Sequence, residues 1–445
     1  MKIIPPSISK AFSLRTNLRH LVRRPGSRLS PIDGLRALAV LWIILMHCIW
    51  YQAPFLGTEV AARKLEEAPA AILGGPYGVD VFFVISGFLI GMILMREHEK
   101  RDGIRVGRFY YRRFLKLMPA YFAALAIYVA LGLPNPHTVW TNVIYINNFI
   151  PAEQQAMEWS WSLAIEEQFY FTFPCFLLLV FFRTRRKWLV LGGLFGLSLA
   201  IRALLLVRYE IAAPILPLDP STFFTWFEEI YIKPYTRFGC LLAGVAAAYA
   251  FVSYDIGRFF KVFRKTAAAA LILSAAAITL VTAAPVHSAE AHWDAASSLI
   301  FLTVYRNLLG VATAYIILYS LHPCTALGKA LAGFLSWRPW YTVAQLAYSA
   351  YLLHPMIMIV VYAAVAPFGL LDAPMVLFYV TLPLLCLLAA AVLYVFIERP
   401  ITNLRDVSWT SAWKSAAAPR AAKRVQPAAA SAAQSGKRDW RLSKT

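Results

Sequence analysis

The feature that most limits what this chain can fold into is the recurrence of apolar stretches about twenty residues long. Crossing ~30 Å of hydrocarbon takes roughly 20 mainly apolar residues in a helix. Ten stretches qualify, at about 35–54, 78–95, 119–133, 159–182, 188–207, 235–251, 266–284, 299–321, 341–365 and 374–397. In lipid every backbone polar group must be satisfied internally, so runs of this length predict helices. The expected class is all-α, a polytopic bundle of about ten transmembrane helices. Composition agrees: of 445 residues 60% are hydrophobic and 15% charged, with a mean hydropathy of +0.59, whereas soluble domains are about a quarter charged.

A net charge of +20 would suit nucleic acid if Lys and Arg shared one surface, but here they fall in short blocks between the apolar runs. The blocks therefore report topology. Lys2, Lys10, Arg15, Arg19, Arg23, Arg24 and Arg28 precede the first span, and the densest block runs from Arg96 to Lys116. Arg183, Arg185, Arg186 and Lys187 follow, then Arg258, Lys261, Arg264 and Lys265, later Lys329 and Arg338, and last the tail from Arg399. The connections after the third, seventh and ninth spans hold no Lys or Arg. By the positive-inside rule, ten alternating spans put both termini in the cytoplasm. Three segments are expected: a basic stretch over 1–32, the membrane domain over 33–405, and a disordered Ala- and Ser-rich tail over 406–445. No cleavable leader is expected, because the first apolar run leads into an uncleaved span. Five scattered cysteines without metal-ligand spacing read as small buried hydrophobes, and no metal is expected.

Ionisable groups inside such spans are costly and point to function. His47 in the first span and Glu166 and Glu167 in the fourth approach similar depth from opposite directions, so His47 is expected to meet one carboxylate. That pairing makes a general base; the plainer alternative is a His satisfied by a backbone carbonyl in a helix interface. His354 in the ninth span lies beyond the midplane, where Pro355 frees a backbone carbonyl nearby. Arg237, just inside the sixth span, is placed to pair with Glu167 or hold a substrate. The connection from Arg96 to Met118 reads as an amphipathic helix carrying Arg105, Arg108, Arg112, Arg113 and Lys116. Binding of lipid headgroups is its ordinary role, and a phosphate pocket is the sharper one. His20, His98, His137, His287, His292 and His322 receive no role. Trp50, Tyr77, Trp140, Trp159, Trp161 and Trp226 form an interfacial belt, from which some rings could stack on a sugar.

The local strings resemble the acyltransferase 3 family of integral membrane acyltransferases. They begin with Asp33-Gly34-Leu35-Arg36, where Arg36 precedes His47 by eleven positions. They continue with the run from Gly78 to Ile90 around Ser86, with Arg112-Arg113-Phe114-Leu115-Lys116, and with Trp159 to Tyr170 around Glu166. Thr236-Arg237, Tyr348-Ser349-Ala350-Tyr351-Leu352-Leu353-His354-Pro355 and Tyr394 to Pro400 complete the order. The resemblance implies a bacterial inner-membrane enzyme that moves an acyl group, usually acetyl, from cytoplasmic acyl-CoA to a hydroxyl of a carbohydrate or lipid-linked glycan. It implies His47, Glu166 and Arg36 as catalytic residues and Arg108, Arg112, Arg113 and Lys116 as the acetyl-CoA site. Asp33, Ser86, Arg237, Tyr351 and His354 are then expected at the acceptor. In the family's usual Arg-x-x-Arg the second position is Lys116 here, which keeps the charge but loses the bidentate fork. Many relatives carry a C-terminal esterase-like domain, and this chain is expected to act without one. The rival reading is a proton-coupled transporter with His47, Glu166 and His354 as relay; a third is a glycan-binding subunit without chemistry.

Overall fold

The computed structural model describes residues 11–26, 29–211, 220–284 and 294–404. Lys2, Lys10, Arg28, His287, His292 and the tail over 406–445 lie outside the described residues. Among those described, ten helices are long and apolar enough to cross a membrane: Ser30–Phe55, Tyr77–Arg101, Val106–Ala130, Glu158–Phe181, Lys187–Arg208, Pro234–Ser253, Arg264–Ala283, Ala295–Leu321, Arg338–Phe368 and Met375–Leu404. No strand occurs among the described residues. The all-α expectation is met, and each expected apolar run has its helix.

The first and third spans start earlier than expected. The first span starts at Ser30 with Pro31 in its first turn, where a missing N–H costs nothing. Asp33 and Arg36 are therefore inside the helix. The third span runs unbroken from Val106 to Ala130 with Pro119 in its interior. Proline there removes one hydrogen bond of a long ladder, and lipid offers the backbone no alternative to the helix. The separate amphipathic helix expected over 96–118 is consequently not formed. The second span continues to Arg101, Asp102 turns the chain with φ at 51°, and the third begins four residues later. Arg108, Arg112, Arg113 and Lys116 ride on the first turns of that third span.

The second and sixth spans form the centre and are mostly buried, whereas the fifth and seventh mostly face outward. The two central helices nearly touch. A Cβ on Gly244 would lie 2.1 Å from the Val84 carbonyl oxygen, and one on Gly87 2.1 Å from that of Leu241. Small residues at such crossings let membrane helices gain dispersion contact in place of a hydrophobic force. The first span packs against the ninth and the ninth against the tenth, with Ile44, Leu352, Met358, Tyr362 and Leu382 in the shared core. This packing sets His47 beside His354.

Cys48, Cys240 and Cys386 are buried as expected, Cys324 is half-buried, and Cys175 is exposed. Cys175 shares the outward side of the fourth span with Phe171, where an apolar atom facing lipid carries no penalty. Ahead of the first span, the short helix Leu14–Val22 docks on the basic ends of the ninth and tenth. Asn17 donates to the Val395 carbonyl at 3.2 Å and accepts from Asn403 at 2.9 Å, while Tyr341 donates to the His20 carbonyl at 3.0 Å.

Candidate active site

His47 sits three residues before the end of the helix Ser30–Trp50. Its Nδ1 lies 2.8 Å from Nε2 of His354, and the rings stack with centroids 4.9 Å apart. The Nδ1 of His354 meets the carbonyls of Tyr351 at 2.9 Å and Ala350 at 3.2 Å. Pro355 explains the nearer one. It has no N–H to give the carbonyl four residues back, and that carbonyl belongs to Tyr351. A carbonyl only accepts, so Nδ1 of His354 carries a proton, and in the neutral ring Nε2 is then the acceptor. His47 must donate from its own Nδ1. Its Nε2 keeps a lone pair, with no protein partner among the described residues.

His47 lines a cavity of about 310 Å³ at the end of the bundle opposite the basic blocks. The wall is mostly aromatic, with Trp50, Trp159, Trp161 and Tyr231 among its rings, and includes the polar groups Tyr51, Glu158, Arg306 and Tyr351. Tyr51 donates to Glu158 at 3.4 Å. Tyr351 donates to the Trp159 carbonyl at 2.7 Å and meets Ser162 at 2.6 Å, and Trp159 donates to the Leu352 carbonyl at 3.2 Å. These bonds fix the register of the fourth span: the residues level with the two histidines are Glu158 to Ser162.

That register overturns the expected contact between His47 and Glu166. Glu166 lies seven positions beyond Trp159, which at ~1.5 Å per residue is about 10 Å nearer the basic end. There Ser86 donates to one of its oxygens at 2.6 Å and Tyr170 to the other at 3.3 Å. The Arg113 guanidinium stacks 3.8 Å above the Tyr170 ring, and Glu166 feels the charges of Arg113 and Arg36. Glu398, which accepts from Ser349 at 2.8 Å, feels Lys116, Arg36 and Arg399. Arg108, Arg113 and Lys116 are half-buried, and Arg112 is exposed.

The residues anticipated from sequence thus divide into two layers. His47, His354 and Tyr351 share the cavity end; Arg36, Ser86, Glu166, Arg113 and Lys116 occupy a second, deeper layer toward the basic end. Asp33 is not at the cavity: it pairs with Arg24 at 2.7 Å on the basic end. Arg237 does not pair with Glu167 but with Asp80, at 3.3 Å. Asp80 also pairs with Arg306, at 2.5 Å. Asp80, Arg306 and the buried Arg202 were missed in the sequence, although each interrupts an apolar run and so carries the same signal that singled out His47. Glu158 was missed because it falls at a span end, where acids are ordinary.

A sequence profile described as "Acyltransferase domain" matches residues 30–396. Among curated proteins, the chain is 25% identical over 399 residues to nose resistant to fluoxetine protein 6 of Caenorhabditis elegans, covering 78% of this chain and 47% of that one. It is 27% identical over 395 residues to the O-acetyltransferase OatA of Staphylococcus aureus, covering 83% and 56%. It is 30% identical over 240 residues to the peptidoglycan O-acetyltransferase OatA of Listeria monocytogenes, covering 49% and 33%. The chain thus spans about half the length, or less, of these relatives. No solved structure matches it significantly. With the profile covering nearly all ten spans and the site between them, the chain belongs to the acyltransferase 3 family.

Proposed function

We propose that this chain is a membrane O-acyltransferase. It takes an acyl group, acetyl in the simplest case, from acyl-CoA at the cytoplasmic face and transfers it to a hydroxyl of a carbohydrate or lipid-linked glycan. The basic ends of the spans face the cytoplasm of a bacterial inner membrane, both termini lie there, and residues 33–405 do the work. The observation that carries the reading is the proton order of the two histidines, which leaves His47 Nε2 as a free base in an aromatic cavity. The printed names of the two bacterial relatives agree with it.

In this mechanism His47 Nε2 takes the proton of an acceptor hydroxyl in the cavity, and the oxygen attacks the thioester carbonyl. A C–O bond forms, the C–S bond breaks, and the departing CoA sulfur takes the proton back from the imidazolium. General-base help of this kind is worth about 10²–10⁴-fold. His354 holds the imidazolium through the same Nδ1–H bond. The inner layer serves the donor: Arg113 and Lys116, with Arg108 and Arg112 at the rim, meet the nucleotide phosphates, and the arm carrying the thioester runs past Ser86 and Glu166 toward His47. Glu166 keeps Arg113, Tyr170 and Ser86 in place along that route. An acyl-His47 intermediate is the two-step variant of the same chemistry.

Mass spectrometry of surface polysaccharide from cells with and without the gene tests the reading. The expected result is an acyl increment on sugar residues that disappears with the gene. Unchanged acylation, with an unmodified solute accumulating instead, would favour a transporter.

A further inference from the structure

Behind the cavity wall lies a charge cluster that the transfer chemistry does not use. Asp80, Arg237, Arg202 and Arg306 are 0%, 1%, 2% and 4% exposed, so three guanidinium groups are buried together with one carboxylate, which pairs with Arg237 and Arg306. Arg202 is held by the carbonyls of Thr303 and Thr236. Arg237 makes the ion pair with Asp80, yet none of its three nitrogens forms a hydrogen bond. The faces of Phe83, Trp161 and Tyr231 surround it at 5.5, 5.1 and 4.8 Å. Tyr231 is shared, since Arg306 lies 4.8 Å from the same ring and 4.7 Å from Tyr305. Ring faces attract cations but do not neutralise them, and a buried charge is favourable only when paired. The cluster is two negative charges short.

Arg306 is the member that reaches the cavity, on the same wall as His47. Its one described hydrogen bond leaves from Nη1 toward Asp80, so Nε and Nη2 remain for a ligand. We infer that the cavity takes an acidic acceptor: a sugar bearing a carboxylate or phosphate, whose oxyanion binds Arg306 while its ring stacks on the aromatic wall. Planar guanidinium forks suit both anions, and Asp80 holds Arg306 in position. This rests on the proposed acyl transfer for the identity of the occupant, but the charge argument stands on the cluster alone.

Equilibrium binding tests it without requiring turnover. The full chain, purified in detergent at fixed ionic strength, is titrated with glucuronate, methyl glucuronate ester, glucose 6-phosphate and glucose. The readout is fluorescence of the cavity tryptophans Trp50, Trp159, Trp161 and Trp226. The charged sugars are expected to bind at least about ten-fold more tightly than their neutral counterparts. Arg306→Lys, which keeps the charge and loses the fork, should remove most of that preference. Comparing glucuronate with glucose 6-phosphate tells carboxylate from phosphate. If Arg306→Lys does not fold, the wild-type contrast between glucuronate and its ester decides alone. Equal or undetectable responses to charged and neutral sugars overturn the inference, as does a preference that survives in folded Arg306→Lys. Acyl transfer to neutral glycans without such a preference would sink this inference and leave the proposed function standing.

Discussion

A base whose tautomer is set by a second imidazole depends on that second ring staying neutral and fixed. His354 meets both conditions through the carbonyl that Pro355 leaves without a helical donor. Replacing His354 by Ala frees His47 to place its proton on either nitrogen, so kcat should fall about 10²-fold with little change in KM for either substrate. Steady-state kinetics on the folded variant check this, and unchanged kcat would remove His354 from the mechanism. On the donor side, Arg113→Lys loses the planar stack on Tyr170, and KM for acyl-CoA should rise by about ten-fold with kcat nearly kept. His47, His354 and Arg237 were legible because an ionisable group in an apolar run is conspicuous one residue at a time. Their partners were not. Which carboxylate meets which cation depends on helix register, and His47 ended beside His354 rather than Glu166 through a shift of two turns that composition does not encode.

Hydropathy found all ten helices because the cost of unsatisfied backbone in lipid leaves little choice of conformation. It did not find their ends: the first helix begins at Ser30 with Pro31 in its first turn, and the third at Val106 with Pro119 inside its ladder. Nor did it show which helices are central, a property that rests on close backbone approach. Gly244→Ala would push a methyl group against the Val84 carbonyl, and overpacking of that kind costs about 1–3 kcal/mol. A lower melting temperature in detergent is the expected outcome. Asn17→Ala removes the donor to Val395 and one of the two acceptors of the Asn403 amide, which keeps the Ala11 carbonyl; a loss of about 1 kcal/mol is expected for each hydrogen bond removed. Limited proteolysis of intact vesicles should then cut near residue 22 where the wild type resists.

At the scale of the whole molecule, the basic end gathers Arg36, Arg113, Lys116 and Arg399, and the opposite end carries the aromatic cavity with His47. Charge blocks made that polarity readable in the sequence, whereas the separation of about 10 Å between the Glu166 layer and the histidines followed only from the packed helices. On this account the two substrates approach from opposite faces and meet at one imidazole. Sealed inside-out membrane vesicles loaded with glycan acceptor and supplied externally with radiolabelled acetyl-CoA test that most directly. Wild-type vesicles are predicted to label the enclosed glycan covalently, and vesicles holding equal amounts of folded His47→Ala to leave it unlabelled. Labelling undiminished by His47→Ala, or absent from the wild type, would contradict the account.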